Sequence, residues 1–330
     1  MILKTVSIGI GRSGAIVTSH DGFQSLVHSE QVLTPGQSYP DPTLESECSI
    51  GNYSPYAPDH DPNMFRGIAF GNNKFVAVGG CCHANSRTSV DGVSWATEVK
   101  VDKTTVTYGG CPWAGDVTFG EGVFASLGGG VSMWSTDGEN WQRITWAGGN
   151  RPSGSYRRME FENGVFIGVG SSGAPLVRSL NGTNWEVDSS VTTGTIIAAG
   201  KGLFLINDLT DAKKLKVFNT NTLTWADGNI FLEDISSLYF DYQNEVFYAR
   251  AGNVQYSSTD GLIWMNMGSS NYSIDGYANG VFYSFRRSWG TTASSSRYTS
   301  IDGLQWQLAE NKELFNPIID YITRDVEVEE

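Results

Sequence analysis

The chain has 330 residues, a formal net charge of −13, 39 Gly, 10 Trp, 14 Tyr and 16 Phe, and only 17% charged residues. Without a Leu/Ala/Glu/Lys-rich run to sustain a helix, this is the composition of an all-β protein. The acidic balance argues against nucleic acid, whose phosphates need clustered positive charge. Met1-Ile2-Leu3-Lys4 leads straight into alternating residues, and no later segment approaches about eighteen apolar residues, so neither a signal peptide nor membrane insertion is expected.

In chain order, residues 5–28 read as three strands, VSIGIG, AIVTSHDG and FQSLVH, with nothing before them to make a first. From there a repeat takes over. A turn recurs as SHDGFQS (19–25), SVDGVSW (89–95), STDGENW (135–141), SLNGTNW (179–185), NTNTLTW (219–225), STDGLIW (258–264) and SIDGLQW (300–306). Its acid or amide positions are Asp21, Asp91, Asp137, Asn181, Asn221, Asp260 and Asp302, and its tryptophans Trp95, Trp141, Trp185, Trp225, Trp264 and Trp306. From Asp91 onward these positions lie 39 to 46 residues apart, a period that in a β-rich chain signals a propeller. Asp or Asn caps its own turn, Gly permits positive φ and Trp packs between strands, so the motif is structural and none of these carboxylates is a catalytic candidate.

Upstream of six of the turns lies a second signal: FGNNKFVAVGG (70–80), FGEGVFASLGG (119–129), FENGVFIGVGS (161–171), AGKGLFLINDL (199–209), YQNEVFYARAG (242–252) and YANGVFYSFRR (277–287). Each reads as strand, tight turn, strand. With the segments around the Trp turn, every repeat supplies a four-stranded antiparallel blade. The fold expected is therefore a single seven-bladed β-propeller over residues 1–330. Residues 316–322 are expected to supply the strand missing from the N-terminal blade and close the ring, leaving an acidic tail, 326–330, in solvent.

The seven copies resemble the Asp-box, or BNR, repeats of sialidase-like propellers, over nearly the whole chain. The pairing of Gly-x-Phe-x-x-x-Gly strands with Ser-x-Asp-Gly-x-x-Trp turns looks especially like propellers encoded among phage tail and other virion genes. The resemblance implies a fold more than a function, because one such scaffold carries many unrelated activities.

Function is expected on the face opposite the repeated turns, where connections vary in length. The longest spans 29–64 and holds six prolines; others are 79–88, 99–115, 146–156 and 285–297. Trp113, Trp146, Tyr156, Arg157, Arg158, Arg286, Arg287, Trp289 and Arg297 are the candidate ligand- or partner-binding residues, aromatic and cationic groups suited to stacking on sugar or contacting protein. Cys48, Cys81, Cys82 and Cys111 cluster in the first loops; their spacing matches no zinc pattern, and a disulfide among them is the alternative to buried thiols.

No cofactor or metal is called for, since Asp59-His60-Asp61 between Pro58 and Pro62 reads as a solvated loop. The glycosidase that the resemblance raises would carry a Phe-Arg-Ile-Pro signature, but Phe65-Arg66-Gly67-Ile68 has Gly and Ile where Ile and Pro belong. The four His lack a nucleophile-elbow context. The expectation is a non-enzymatic virion protein of a phage tail, baseplate or fibre. Its partners would be neighbouring virion proteins or a host surface glycan or protein. A glycoside hydrolase and a cytosolic assembly-factor scaffold are the alternatives, and a hydrolase would gather paired carboxylates and arginines in the central funnel.

Overall fold

The computed structural model describes residues 2–11, 16–20, 23, 28–30, 64–80, 84–97, 99–101, 113–171, 174–191, 193–288, 294–309 and 318–328. Cys48, Cys81, Cys82, Cys111, Asp21, Trp289 and nearly all of the 29–64 connection lie outside these residues. Among the described residues every regular element is a strand, and no helix is long and apolar enough to cross a membrane.

Strands β1 (Ile2–Gly11), β2 (Ile16–Ser19) and β3 (His28–Glu30) come first, followed by β4 (Phe65–Gly71), β5 (Lys74–Gly79), β6 (Ala84–Ser89) and β7 (Val99–Val101). Next are β8 (Trp113–Gly120), β9 (Val123–Gly129), β10 (Ser132–Ser135) and β11 (Gln142–Arg143), and then β12 (Thr145–Trp146), β13 (Tyr156–Glu162), β14 (Val165–Gly170), β15 (Val177–Ser179) and β16 (Asn184–Val187). The order continues with β17 (Thr193–Gly200), β18 (Leu203–Asp208), β19 (Lys214–Asn219) and β20 (Thr224–Ile230), and with β21 (Ile235–Asp241), β22 (Val246–Ala251), β23 (Val254–Ser258) and β24 (Met265–Ser269). The last are β25 (Gly276–Ala278), β26 (Val281–Ser288), β27 (Ser294–Ser300), β28 (Gln307–Leu308) and β29 (Ile318–Val328).

Six sheets are four-stranded and antiparallel, among them β4-β5-β6-β7, β17-β18-β19-β20 and β21-β22-β23-β24. The first strand of each runs along a shared central cavity. The chain is a β-propeller. The expectation of seven such blades is corrected to six, because the remaining sheet has five strands: β12 pairs in parallel with β16, the outer strand of β13-β14-β15-β16. The physical reason lies in Trp146, which is 4% exposed and whose ring centroid is 6.4 Å from that of Trp185. Burying its indole draws Thr145 and Ala147 onto the edge, where their N–H groups donate to the carbonyls of Thr183 and Trp185 at 2.8 Å each.

Within a blade the strands differ by depth. Second strands are buried on both faces, as in Val123–Gly129 and Val165–Gly170, because a blade packs on both sides against its neighbours. They therefore read as continuous apolar runs instead of alternating ones. Fourth strands such as β20 and β24 are largely exposed. The cores accordingly lie between blades: Val76 and Val78 pack with Val117, Phe124 and Met133 of the next sheet, and Val165 and Ile167 with Ile197 and Phe204.

The two-residue turns joining first and second strands have positive φ at both positions, as in Asn72-Asn73 (48° and 57°) and Asn163-Gly164 (45° and 79°). That backbone twist matches the strands it joins. These turns also reach sideways. Asn72 Nδ2 donates to Thr136 O at 3.0 Å, Asn163 Nδ2 to Thr220 Oγ1 at 3.0 Å, Lys201 Nζ to Thr259 O at 3.0 Å and Asn279 Nδ2 to His20 O at 2.8 Å. Each bond ties one blade to the Ser-x-Asp turn of another.

In those turns the motif works as its residue types require. Ser135 Oγ accepts from Gly138 N at 2.9 Å, Asp137 Oδ1 from Glu139 N and Asn140 N at 2.9 and 2.7 Å, and Trp141 Nε1 donates to Gly138 O at 3.1 Å. Asp91, Asn181, Asp260 and Asp302 repeat the pattern, with Trp95, Trp185, Trp264 and Trp306 each donating to the turn glycine carbonyl. A Cβ on Gly138, at φ +76°, would fall 2.5 Å from Val76 Cγ2 of the preceding blade. The fifth copy departs from its expected role. Asn219, not Asn221, caps the turn, accepting from the N–H groups of Asn221 and Thr222, while Asn221 Oδ1 accepts from Asn163 Nδ2 and Trp225 donates to Asp188. With Thr222 where the other copies have glycine after the Asp or Asn, the turn is rebuilt with Leu223 at φ +55°.

Ring closure follows the expected one-plus-three pattern: β29 pairs antiparallel with β1, Ile322 opposite Ile8 and Asp325 opposite Thr5. The pairing continues to Val328 opposite Ile2, so most of the segment expected to be a free acidic tail is strand. The reason is that β1 begins at Ile2 and offers a longer partner than the sequence suggested. On its other side the N-terminal blade shares a core with the last, where Phe23 meets Tyr283 and Phe285 edge-on at 4.9 and 5.0 Å.

Candidate functional site

The first strands enclose a cavity of about 870 Å³ running down the centre of the ring. Its lining is mixed. At the end nearest the strand-joining turns stand Phe70, Phe119, Phe161 and Phe240, each tilted against the first aromatic of its second strand at 4.5 to 4.7 Å. The carboxylates along the wall are Asp116, Glu160, Glu162, Asp241 and Asp275, with Arg158 as the arginine among the lining residues.

Most of those carboxylates hold backbone. Asp116 accepts from Val117 N and Met159 N at 2.8 Å each, bridging two blades. Asp241 accepts from Gln243 N and Asn244 N and so caps the turn after β21. Asp275 Oδ2 accepts from Phe285 N at 2.8 Å. Glu162 accepts from Gly202 N at 2.7 Å; burial raises its carboxyl above the ordinary range and that bond partly offsets the rise. Among the described residues no three His, Cys, Asp or Glu side chains gather into a metal site.

The opposite end of the cavity is built differently. Five of the first strands carry a register break close to their start: between Phe65 and Gly67, Ala114 and Asp116, Tyr156 and Arg158, Thr193 and Ile197, and Ile235 and Ser237. A sixth lies in the pairing of β29 with β1. A bulge leaves an unpaired residue, bends the strand and re-aims a side chain. Here the unpaired positions include Arg66, Gly115 and Arg157, which precede the cavity-lining residues of their strands, and Ser236, which lines the cavity itself.

Three adjacent blades meet at this rim. Trp113 opens β8 and is partly exposed. The Arg66 guanidinium carbon lies over its ring at 4.7 Å from the centroid and that of Arg157 at 5.8 Å. The middle blade has glycine at the bulge, and the indole sits against it. A Cβ on Gly115 would fall 2.9 Å from Trp113 Cζ3, and one on Gly129 would fall 2.2 Å from Nε1. Arg157 is exposed and makes no ion pair among the described residues.

The structure thus brings Trp113 and Arg157 together and adds Arg66, with Arg158 next in line as a wall residue. The other candidates lie elsewhere. Trp146 is core. Tyr156 is fully buried, its hydroxyl pushed up to about 12 by burial against a smaller opposing effect of Arg151, whose guanidinium lies over the ring at 5.4 Å. Arg297 is 4% exposed and donates to Phe23 O at 2.9 Å, a tie between the last and N-terminal blades. Arg286 and Arg287 fall within strand β26, not in a loop, because residues 285–288 continue the pairing with β27. The same correction applies to residues 84–88 and 113–115, which are strand. The signal that locates Arg66 was in the repeat: Arg66, Gly115, Arg157 and Ser236 each stand four residues before Phe70, Phe119, Phe161 and Phe240.

No family model matches the chain, and no curated protein matches it. Among solved structures it is similar to Kluyveromyces lactis Hsv2 with loop 6CD replaced by a Gly-Ser linker, at 9% identity and a TM-score of 0.45 over 77% of this chain and 99% of that one. Hsv2 with its complete loop 6CD aligns at 8% identity and a TM-score of 0.46 over 71% of this chain and 70% of that one.

Proposed function

We propose that this propeller is a non-enzymatic docking or recognition subunit of a virion, at a phage tail tip, baseplate or fibre junction. It presents the bulged rim of its central cavity to a host surface glycan or protein, or to a neighbouring virion protein. The observation that carries this reading is the rim itself: successive first strands bulge at equivalent positions, two of the bulges carry Arg66 and Arg157, and the Trp113 indole at the start of the strand between them lies against both guanidiniums. The use of Asp116, Asp241 and Asp275 as backbone acceptors supports a binding role over an acid–base one, since a general acid or base must be free to exchange its proton with substrate. The assignment to a tail draws on the likeness of the repeat to virion-encoded propellers.

The test is sedimentation of the protein with purified virions, together with whole-cell binding by the parent and by a Trp113→Ala/Arg157→Ala variant. Co-sedimentation with cell binding that the variant loses is the expected result. A protein found only in the soluble fraction of infected cells, binding neither particles nor cells, would overturn it.

A further inference from the structure

Asparagine is followed by glycine at Asn163, Asn181 and Asn279. The pair carries latent chemistry, because the glycine nitrogen can attack the asparagine side-chain carbonyl carbon with no Cβ of its own to obstruct the approach. The glycine nitrogen gives up its proton to hydroxide, a C–N bond forms and ammonia leaves. The resulting succinimide then takes up one water to give aspartate or isoaspartate. The step needs an asparagine side chain that can turn, a glycine N–H that is not engaged, and room around the turn.

The three copies differ in these respects. At Asn181 both reacting groups are held: its Oδ1 accepts from Thr183 N and Asn184 N at 3.0 and 2.9 Å, and the N–H of buried Gly182 donates to Ser179 Oγ at 2.9 Å. Asn163 is held through its amide, which donates to Thr220 Oγ1 at 3.0 Å and to Asn221 Oδ1 at 3.1 Å. Asn279 has a single hold among the described residues, the bond from Nδ2 to His20 O at 2.8 Å. Its neighbour Gly280 is exposed, and a Cβ placed there would meet nothing within 4 Å. The Gly280 N–H makes no hydrogen bond among the described residues.

We propose that Asn279 is a deamidation site, the first of the three to react in the folded protein, and that its conversion loosens the seam where the ring closes. His20 belongs to the N-terminal blade and Asn279 to the last, so their bond crosses that seam. The amide donates to the His20 carbonyl, whereas an ionised aspartate or isoaspartate can only accept, and a bond becomes a repulsion between oxygens. Isoaspartate also lengthens the main chain inside the two-residue turn that sets Ala278 opposite Val281. The seam keeps the bond from Arg297 to Phe23 O and the edge contacts of the Phe23 ring, so the ring is weakened and not opened.

The experiment incubates the full chain in mildly alkaline buffer below its melting temperature, beside a denatured sample, and follows exchange of NH₂ for OH at each Asn-Gly by peptide mass mapping. In the folded chain Asn279 should convert at least threefold faster than Asn163, with Asn181 slowest, while the denatured chain should convert all three at similar rates. Aged protein and Asn279→Asp should both melt below the fresh parent by about 1–3 °C, in one transition. Asn279→Gly removes the amide and keeps the turn, so its melting temperature should hold over the same period and lie above that of Asn279→Asp.

Conversion of Asn163 or Asn181 before Asn279, equal rates at all three in the folded chain, or an Asn279 still intact once the denatured chain has converted would overturn the site. Aged protein or Asn279→Asp melting with the fresh parent would overturn the loosening of the seam.

Discussion

The two ends of the central cavity are built on opposite plans. At the turn end, one short motif is repeated with the same hydrogen bonds in five copies, and Asn or Lys side chains from the strand-joining turns latch onto the repeated turns from other blades. At the rim end nothing repeats except the bulge, and what stands on the bulge changes from Arg to Gly to Arg to Ser. A repeated backbone device with a varied side chain separates the task of holding a ring from the task of meeting a ligand. Stability lies with the first end, and the binding role proposed for this protein would be exercised at the second.

The largest test of that division is closure, which belongs to neither end. Removing 318–330 takes away β29, which spans the whole length of β1, and is expected to abolish cooperative thermal unfolding. Removing 326–330 loses only the pairs to Ile2, Leu3 and Lys4 and should lower the melting temperature while leaving one transition. Indistinguishable melting of the two truncations would show that the ring does not depend on this strand.

A smaller effect separates the tryptophans of the two ends. Trp185, 1% exposed and packed against Phe166 and Trp146, should lose about 3–5 kcal/mol on change to Ala, measured by denaturant unfolding. Trp113→Ala should cost clearly less, since its ring is partly solvated, while abolishing binding at the rim. Equal destabilisation would mean that the rim indole is a core residue after all.

The smallest effect is expected from acid. At Asp260 the N–H of Ile263, then that of Leu262, hold the carboxyl below its ordinary 3.8; at Asp302 those of Gln305 and Leu304 do the same. A depressed folded-state value means that each contributes stability above 3.8 that is lost as pH falls through the folded value. Melting temperature should therefore decline as pH falls below about 4. Asp260→Asn should shift it little near neutrality, because Asn181 already makes the same bonds in its own copy, and should lessen the acid decline. A variant as acid-sensitive as the parent would place the loss elsewhere.

Much of this was legible in the amino-acid order, for a reason that also sets its limit. Ser135, Asp137, Gly138 and Trp141 interact within seven residues of chain, so local chemistry is enough to read their turn. The missing strand of the N-terminal blade was legible as well, since an unpaired edge has to be covered by something. Where a residue's fate depended on a neighbouring blade, the sequence was silent. Trp113 and Trp146 look alike as tryptophans outside the repeat, yet one lies between two arginines from the flanking blades and the other is sealed against Trp185. Tyr156 and Arg157 are consecutive, and alternation of the strand with a bulge sends one into the core and leaves the other in water. Turn chemistry is a property of short stretches, period follows from their recurrence, and closure follows from the strand missing in the N-terminal blade, so all three were readable from order alone. The fifth strand at Trp146 and the meeting of Arg66, Trp113 and Arg157 required the ring to close, because only then do residues tens of positions apart share one rim.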